Sequence, residues 1–119
     1  MMSNLDFLQG AYCPLVVPFR DGKIDFDIYG KLIARQIVEG SHGLLVNATS
    51  DEPTTLTVEE RGQLVEFTVK TSNGRRLVCA GTASESFETT ASLIDRFDKA
   101  GAGSILVVTP FYAAPAVLV

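Results

Sequence analysis

Short, continuous apolar runs alternate with amphipathic segments along this sequence, and this alternation constrains the fold more than any other feature. Runs without polar alternation are typical of strands that are covered on both faces. They recur at intervals of roughly 30 residues, the length of a strand–helix–strand unit, which predicts an α/β fold with a parallel sheet. The four predicted strands are Ala11–Val17, Gly43–Asn47, Leu77–Gly81 and Ser104–Val108.

Local signals mark three helices between these runs. Thr57 and Glu60 have the spacing of a capping box, in which the two side chains satisfy each other's backbone amides. Residues 19–22, before the first helix, are predicted to form a turn. The predicted N-cap residues are Asp25, Thr57 and Ser86, and the predicted stops are Gly40, Gly74 and Gly101. The predicted apolar faces comprise Ile28, Leu32, Ile33 and Ile37; Leu64, Val65 and Val69; and Ile94 and Phe97.

Two α/β architectures compete for this pattern. An open, doubly wound nucleotide-binding sheet requires a glycine-rich phosphate loop after its first strand, but Pro18, Phe19 and Arg20 follow here. A (β/α)8 barrel requires eight strands and typically about 250 residues. The 119 residues form a single domain with four strands. We therefore expect either a small open sheet or the first half of a barrel.

Composition and charge exclude several classes of partner. The net charge is −4 and no basic stripe is present, so we expect no nucleic-acid partner. The longest apolar runs, such as Ile105–Val108 and Ala116–Val119, are far shorter than the roughly 20 residues that span a bilayer. Met1–Gly10 lacks the pattern of a signal peptide. We expect a soluble cytoplasmic protein without a membrane partner.

The cysteines and the histidine do not form a metal-site pattern. Zinc sites require four ligands at short paired spacings, and this sequence has two cysteines and one histidine. Cys13 and Cys79 fall on the first and third strands, about 9.6 Å apart in a sheet of sequential order. A disulfide requires Cα atoms within about 7 Å, so we expect both cysteines to remain reduced core thiols. His42 precedes the second strand, where we expect a structural or surface role.

The loop Asn47–Pro53 is the first candidate site. It leaves the carboxyl end of the second strand, the side on which parallel α/β proteins build their sites. The adjacent hydroxyls of Thr49 and Ser50 are suited to binding a carboxylate by several hydrogen bonds. The alternative is an ordinary turn rich in serine and threonine with an exposed acidic pair.

Several segments in order resemble the N-terminal part of the dihydrodipicolinate synthase and N-acetylneuraminate lyase family. The resemblance covers about residues 10–115. It implies the first four units of a TIM (β/α)8 barrel, truncated, from a pyruvate-dependent aldolase or lyase that acts through a lysine Schiff base without a cofactor. The matching segments are Pro18-Phe19, Asp21-Gly22, Ile24-Asp25, Ala48–Arg61, Ala80–Thr82 and Val108–Pro115.

The resemblance also implies roles for particular residues. Thr49 corresponds to the hydroxyl of a proton relay and Ser50 to a group that binds the carboxylate of a small 2-oxo acid, pyruvate. Tyr112 corresponds to the tyrosine that completes the relay across a subunit interface in the synthases, which implies a homo-oligomer, a tetramer in the family. On this basis we expect a dihydrodipicolinate synthase-like half-barrel, with condensation of pyruvate and aspartate semialdehyde in lysine biosynthesis as the implied reaction.

Two departures from the family pattern affect this expectation. Ala48 and Asp51 replace the two glycines of the family motif; Asp51 tolerates left-handed geometry, but its charge opposes anion binding unless it points away. The Schiff-base lysine of the family lies on the sixth strand, beyond this chain. The lysines present lie in a predicted loop or on predicted helices: Lys23, Lys31, Lys70 and Lys99. We expect this chain, as a truncated or frame-shifted product, to be inactive alone.

Three functional alternatives remain open. The chain is a fragment of a pyruvate-dependent aldolase or lyase, a half-barrel that binds a 2-oxo acid or pairs with another half without chemistry, or a non-functional truncated product. Within the family, N-acetylneuraminate lyase and 2-keto-3-deoxy sugar acid aldolase types stay open, since contacts to the second substrate lie largely in the missing half. The first and fourth strands would be open edges, so we expect self-association, which the apolar tail Ala116–Val119 would increase.

Overall fold

A computed structural model describes residues 8–112 of the chain. Strands and helices alternate through most of this range, as the sequence predicts. In chain order, the elements are β1 (Tyr12–Pro14), β2 (Phe19–Arg20), β3 (Lys23–Ile24), α1 (Phe26–Val38), β4 (Gly43–Val46), α2 (Val58–Ser72), β5 (Leu77–Gly81), α3 (Phe87–Ala100) and β6 (Ser104–Leu106).

The main sheet contains four parallel strands in the order β1-β4-β5-β6. Each helix connects one strand to the next, so the chain consists of consecutive β/α units, which confirms the α/β prediction. Within residues 8–112, β1 and β6 each pair with one strand of this sheet and form its two edges. Parallel order places the carboxyl ends of all four strands at one end of the sheet.

The predicted helix caps are confirmed. The side chain of Asp25 accepts a hydrogen bond from the Ile28 backbone N–H, and the side chain of Ser86 accepts one from Thr89 N–H. At the start of α2, Thr57 N–H donates to Glu60 Oε2 at 2.8 Å and Glu60 N–H donates to Thr57 Oγ1 at 3.1 Å. These caps depend on residues three positions apart, which is why the sequence alone identifies them.

The predicted turn over residues 19–22 is right only for Asp21 and Gly22, because Phe19 and Arg20 form strand β2 of a small hairpin. β2 and β3 pair antiparallel, Phe19 with Ile24 and Arg20 with Lys23. Asp21 and Gly22 connect them with φ values of 51° and 76°. Two successive left-handed residues match the right-handed twist of a two-residue hairpin. Arg20 also pairs with the N-cap Asp25 at 2.8 Å, which ties the hairpin to α1.

The hydrophobic core lies between the sheet and the helices. Val78 and Ala80 of β5 are buried, whereas the alternate residues Leu77 and Cys79 are half-buried and belong to the opposite face. Tyr29 is fully buried on α1, although the apolar face predicted from the sequence omitted it. The buried apolar residues are Leu15, Tyr29, Ile33, Ile37, Leu44, Val46, Leu56, Leu64, Val65, Val78, Ala80, Leu93 and Phe97.

The two outer strands are shorter than predicted. The first is three residues, Tyr12–Pro14, instead of Ala11–Val17, and the last is Ser104–Leu106 instead of Ser104–Val108. Each has a single neighbour in the described sheet, so fewer backbone hydrogen bonds extend it. Apolar composition therefore overestimates the length of the edge strands.

The cysteines are free, and β4 separates their strands as expected. The expectation that both are core thiols is wrong, because both are half-buried. Cys79 belongs to the sheet face that the helices leave uncovered, and Cys13 lies on an edge strand. His42 has the expected structural contact, since its Nδ1 accepts a hydrogen bond from the Ala11 backbone N–H at 3.0 Å.

The edge strands β1 and β6 lead us to expect that the 119-residue polypeptide self-associates. Val107 beside β6 and Val16 beyond β1 are both about half exposed, which adds apolar surface to the unpaired edges. Sedimentation velocity should show concentration-dependent association, and a monodisperse monomer across the concentration range would contradict the prediction. The segment Ala116–Val119, predicted to increase self-association, lies outside the described residues.

In residues 8–112, no helix is both long and apolar enough to span a bilayer.

Candidate functional site

A cleft of about 810 Å³ lies at the carboxyl ends of β4, β5 and β6. Its position agrees with the prediction that the loop after the second strand of the main sheet forms a site. The walls are mostly apolar, with hydroxyls, one amide and the acidic residue Glu52 among them. The lining residues are Leu45, Asn47, Ala48, Thr49, Glu52, Pro53, Thr54, Thr55, Gly81, Ala83, Leu106, Val108, Thr109 and Phe111.

The loop after β4 forms one wall of this cleft as two short 3-10 turns. Thr49–Asp51 forms the first and Pro53–Thr55 the second. Glu52 joins them in the left-handed conformation, with φ 50° and ψ 51°. Asp51 does not use the left-handed geometry that it tolerates, because it continues the first turn and the left-handed residue is Glu52.

Thr49 lines the cleft with an exposed side chain, as its predicted role requires. Ser50 is also exposed but does not line the cleft. Tyr112 follows Phe111, which lines the cleft, but the Tyr112 side chain is 92% exposed. Thr49 and Phe111 therefore line one cleft, and Ser50 and Tyr112 do not line it.

Asp51 is buried behind the loop, with 2% of its surface exposed. Its Oδ2 accepts a hydrogen bond from the Asn47 backbone N–H, and it does not line the cleft. Burial raises the pKa of this carboxyl to about 7, although the hydrogen bond from Asn47 opposes the shift. The charge of Asp51 thus points away from the cleft, which removes the repulsion expected from this residue, whereas the acidic residue Glu52 lines the cleft.

Two residues that hold the loops around the cleft were not predicted from the sequence. Arg61 of α2 is buried and donates to backbone carbonyls of two loops around the cleft. Glu85, in the loop after β5, accepts hydrogen bonds at 2.6 Å from the backbone N–H groups of both Phe111 and Tyr112. The Thr82 and Ala83 carbonyls lie more than 20 residues from Arg61 in sequence, and Phe111 and Tyr112 lie more than 20 residues from Glu85, so no local spacing reveals these contacts.

Glu85 is expected to hold the segment that carries Tyr112. Replacing Glu85 with alanine removes the shared acceptor, so the Phe111 and Tyr112 amides should exchange with solvent several-fold faster. Glu85→Gln keeps an acceptor oxygen without the charge, so its exchange rates should fall between those of Glu85→Ala and the unmodified chain. Amide hydrogen exchange by NMR measures the effect, with the exposed Glu88→Ala on α3 as control. Equal exchange rates in Glu85→Ala and Glu88→Ala would refute the role.

All four lysines of the chain are exposed and lie outside the cleft-lining set. Lys23 lies on β3, while the others lie on helices, where Lys99 pairs with Asp95 at 2.7 Å. These lysines thus lack the burial that would make an amine nucleophilic near neutral pH. Across residues 8–112, no three His, Cys, Asp or Glu side chains come together in a group able to hold a metal ion.

Comparison with known proteins gives consistent results for sequence and structure. The family model described as the dihydrodipicolinate synthetase family matches residues 7–117. The 4-hydroxy-tetrahydrodipicolinate synthase of Pelagibacter ubique is 39% identical over 107 residues, which are 90% of this chain and 36% of that protein. The chain thus spans little more than a third of the length of this relative.

Solved structures show the same relationship. Dihydrodipicolinate synthase from Aquifex aeolicus matches with a TM-score of 0.87 and 36% identity, over 90% of this chain and 36% of that one. A chloride-inhibited dihydrodipicolinate synthase from Acinetobacter baumannii, complexed with pyruvate, matches with a TM-score of 0.86 and 30% identity, over 91% of this chain and 38% of that one. The predicted TIM-barrel relationship is thereby confirmed for the N-terminal part of these proteins. The chain belongs to the dihydrodipicolinate synthetase family.

Proposed function

We propose that this chain forms the carboxylate-binding part of a pyruvate-dependent active site of the 4-hydroxy-tetrahydrodipicolinate synthase type. The observation that carries the proposal is the position of Thr49, exposed in the cleft at the carboxyl ends of the strands, with the neighbouring Asp51 turned into the interior. A hydroxyl there donates a hydrogen bond to the carboxylate of a 2-oxo acid, and no negative charge from Asp51 opposes it.

The remaining chemistry requires a lysine that this chain does not supply. In the proposed reaction, a lysine amine outside this sequence attacks the pyruvate carbonyl and water leaves, which gives a Schiff base. Loss of a methyl proton produces the enamine, whose carbon then attacks aspartate semialdehyde. In this proposal, Thr49 passes a proton between this centre and the Tyr112 contributed by a neighbouring subunit. Four exposed lysines outside the cleft support the assignment of the nucleophile to another segment.

Tyr112 supports an oligomeric form of the complete site. Its side chain is 92% exposed, so it projects away from the described part of its own chain. An exposed tyrosine beside a cleft is suited to completing the proton relay of a neighbouring subunit, as the family resemblance implies. We propose a homo-oligomer on this basis. From the family resemblance, we also propose that the protein acts in the cytoplasm, in lysine biosynthesis.

Complementation tests the proposal. The chain would be co-expressed with the remaining C-terminal part of the Pelagibacter ubique relative, and synthase activity measured on the purified complex. We expect activity only when both parts are present. Thr49→Val should lower kcat by about 100-fold or more, since it removes a positioned proton-transfer group.

Thr54→Val is the matched control, because Thr54 also lines the cleft and is exposed. It should keep most of the activity. A folded complex that is inactive would argue against the synthase assignment. An active complex in which the two threonine variants behave alike would remove Thr49 from the mechanism.

The chain by itself is expected to form no covalent adduct with pyruvate. Borohydride reduction in the presence of pyruvate traps a Schiff base as a stable secondary amine, which intact-mass spectrometry detects. The four lysines are exposed and lack the apolar burial that activates a Schiff-base lysine. A stoichiometric adduct on any single lysine would overturn the assignment of the nucleophile to another segment.

A further inference from the structure

Arg61 is a buried cation close in sequence to the loop after β4, which lines the cleft. It lies in the first turn of α2, directly after the capping box, and only 8% of its surface is exposed. Arginine is rarely this buried without a specific set of acceptors. Burial also lowers the pKa of the Arg61 guanidinium below its usual value.

The guanidinium of Arg61 joins the two loops that face each other across the cleft. Its Nε donates to the Pro53 carbonyl at 2.8 Å, in the loop after β4. Its Nη1 donates to the Ala83 carbonyl at 3.0 Å and lies 3.4 Å from the Thr82 carbonyl, in the loop after β5. A planar guanidinium holds such acceptors in a fixed geometry, which a lysine ammonium does not reproduce.

The backbone of Arg61 adds a further contact with a cleft residue. Asn47 Nδ2 donates to the Arg61 carbonyl at 3.2 Å. Ala83 has φ 48°, a left-handed conformation that is strained for alanine and requires support from its surroundings. Arg61 thus contacts Asn47, Pro53 and Ala83, three residues that line the cleft, while Arg61 itself does not line it.

We propose that Arg61 is a positioning residue, which sets the separation between the loop after β4 and the loop after β5 and so places Thr49 for ligand binding. The residue acts through backbone carbonyls and does not touch the ligand. The inference rests on the proposed function, because it assigns Arg61 to the site that binds a 2-oxo acid.

The test compares Arg61→Met and Arg61→Lys with Ser72→Ala. Ser72 lies at the far end of the same helix, buried, and its hydroxyl bonds the Arg76 backbone. All variants would be studied at temperatures giving equal folded fractions. Arg61→Met should weaken pyruvate binding at least 10-fold, Arg61→Lys should restore part of that loss, and Ser72→Ala should bind as the unmodified chain does. Equal pyruvate affinity in Arg61→Met and Ser72→Ala would overturn the proposal.

Hydrogen exchange separates failure of this inference from failure of the proposed function. In the structure, Glu52 N–H donates to Thr49 O and Thr82 N–H donates to Leu106 O, at 3.0 Å each. Arg61→Met should speed exchange of these two amides by 10-fold or more, while Gly103 N–H, bonded to Val78 O at the opposite end of the sheet, stays unchanged.

This loop-specific pattern is expected even if pyruvate does not bind the unmodified chain, in which case the proposed function fails and the positioning role stands. Uniform acceleration at all three amides would overturn the positioning role. If Arg61→Met does not fold, Arg61→Lys carries the same comparison. Failure of both to fold, with Ser72→Ala folded, would make Arg61 a requirement of the whole fold and would also overturn it.

Discussion

Replacing Asp51 with asparagine is expected to remove a large, pH-dependent loss of stability. Burial raises the pKa of the Asp51 carboxyl from 3.8 to about 7 in the folded chain. A difference of this size corresponds to about 4 kcal/mol between the two protonation states. Asp51 should therefore be the main origin of a decline in the unfolding free energy as pH rises through the weakly acidic range.

The sign follows from proton binding. Well below pH 3.8, Asp51 is protonated in both states and carries no penalty. Between about pH 4 and 7, the folded state holds a proton that the unfolded state has released, so stability falls as pH rises. Above pH 7 both states are charged and the full penalty of about 4 kcal/mol persists. Asparagine avoids the charge, although its buried NH2 group costs about 1–3 kcal/mol if it lacks an acceptor.

Urea unfolding between pH 4 and 8 measures this effect, at micromolar concentration to limit self-association. The difference in unfolding free energy between Asp51→Asn and the unmodified chain should shift in favour of the variant by several kcal/mol across that range. Asp95→Asn, at an exposed position on α3, should show no comparable trend. A pH-independent difference for Asp51→Asn would show that the Asp51 carboxyl titrates normally in the folded chain.

Gly81→Ala is the second change with a large expected effect. Gly81 ends β5, is buried and lines the cleft. A Cβ atom at this position would lie 2.5 Å from the Asn47 backbone oxygen and 3.1 Å from its carbonyl carbon. Because these are backbone atoms of the neighbouring strand region, relief of the clash requires β4 and β5 to move apart. We expect a loss of about 1–3 kcal/mol in unfolding free energy.

Gly30→Ala supplies the matched control for this clash. Gly30 lies within α1, and an added Cβ would meet only the Phe67 ring, at 3.4 Å. Alanine in a helix interior gains up to about 1 kcal/mol over glycine, so this variant should be as stable as the unmodified chain or more so. Urea unfolding of both variants provides the comparison. Equal stability of Gly81→Ala and Gly30→Ala would show that the strand ends tolerate a side chain.

Features of the fold that depend on local spacing were predictable from the sequence. The caps at Asp25, Thr57 and Ser86 are confirmed because each involves residues three positions away. The third strand is predicted at its observed bounds, since its apolar run is closed on both sides. The outer strands are shorter than predicted. The length of an edge strand depends on how far it pairs with the adjacent strand, and composition does not reveal this.

The site was predictable only where it follows from topology. The loop containing Thr49 lies at the carboxyl end of β4, and that end of a parallel sheet is identifiable in advance. Arg61 was missed because its carbonyl partners include Ala83, 22 residues away. Burial of Asp51 was also missed, since an acidic residue in a polar loop is ordinarily exposed and only packing turns it inward.

A residue-resolved titration of the 119-residue chain with pyruvate tests the central claim most directly. Nitrogen–proton correlation spectra would be recorded with pyruvate, with acetate, which shares the carboxylate, and with acetone, which shares only the carbonyl. We expect saturable shifts at the amides of residues 48–52 with pyruvate and acetate, none with acetone, and loss of the pyruvate shifts in Thr49→Val. Pyruvate shifts that are absent from residues 48–52, or unchanged in Thr49→Val, would contradict the proposal that Thr49 binds the carboxylate of a 2-oxo acid.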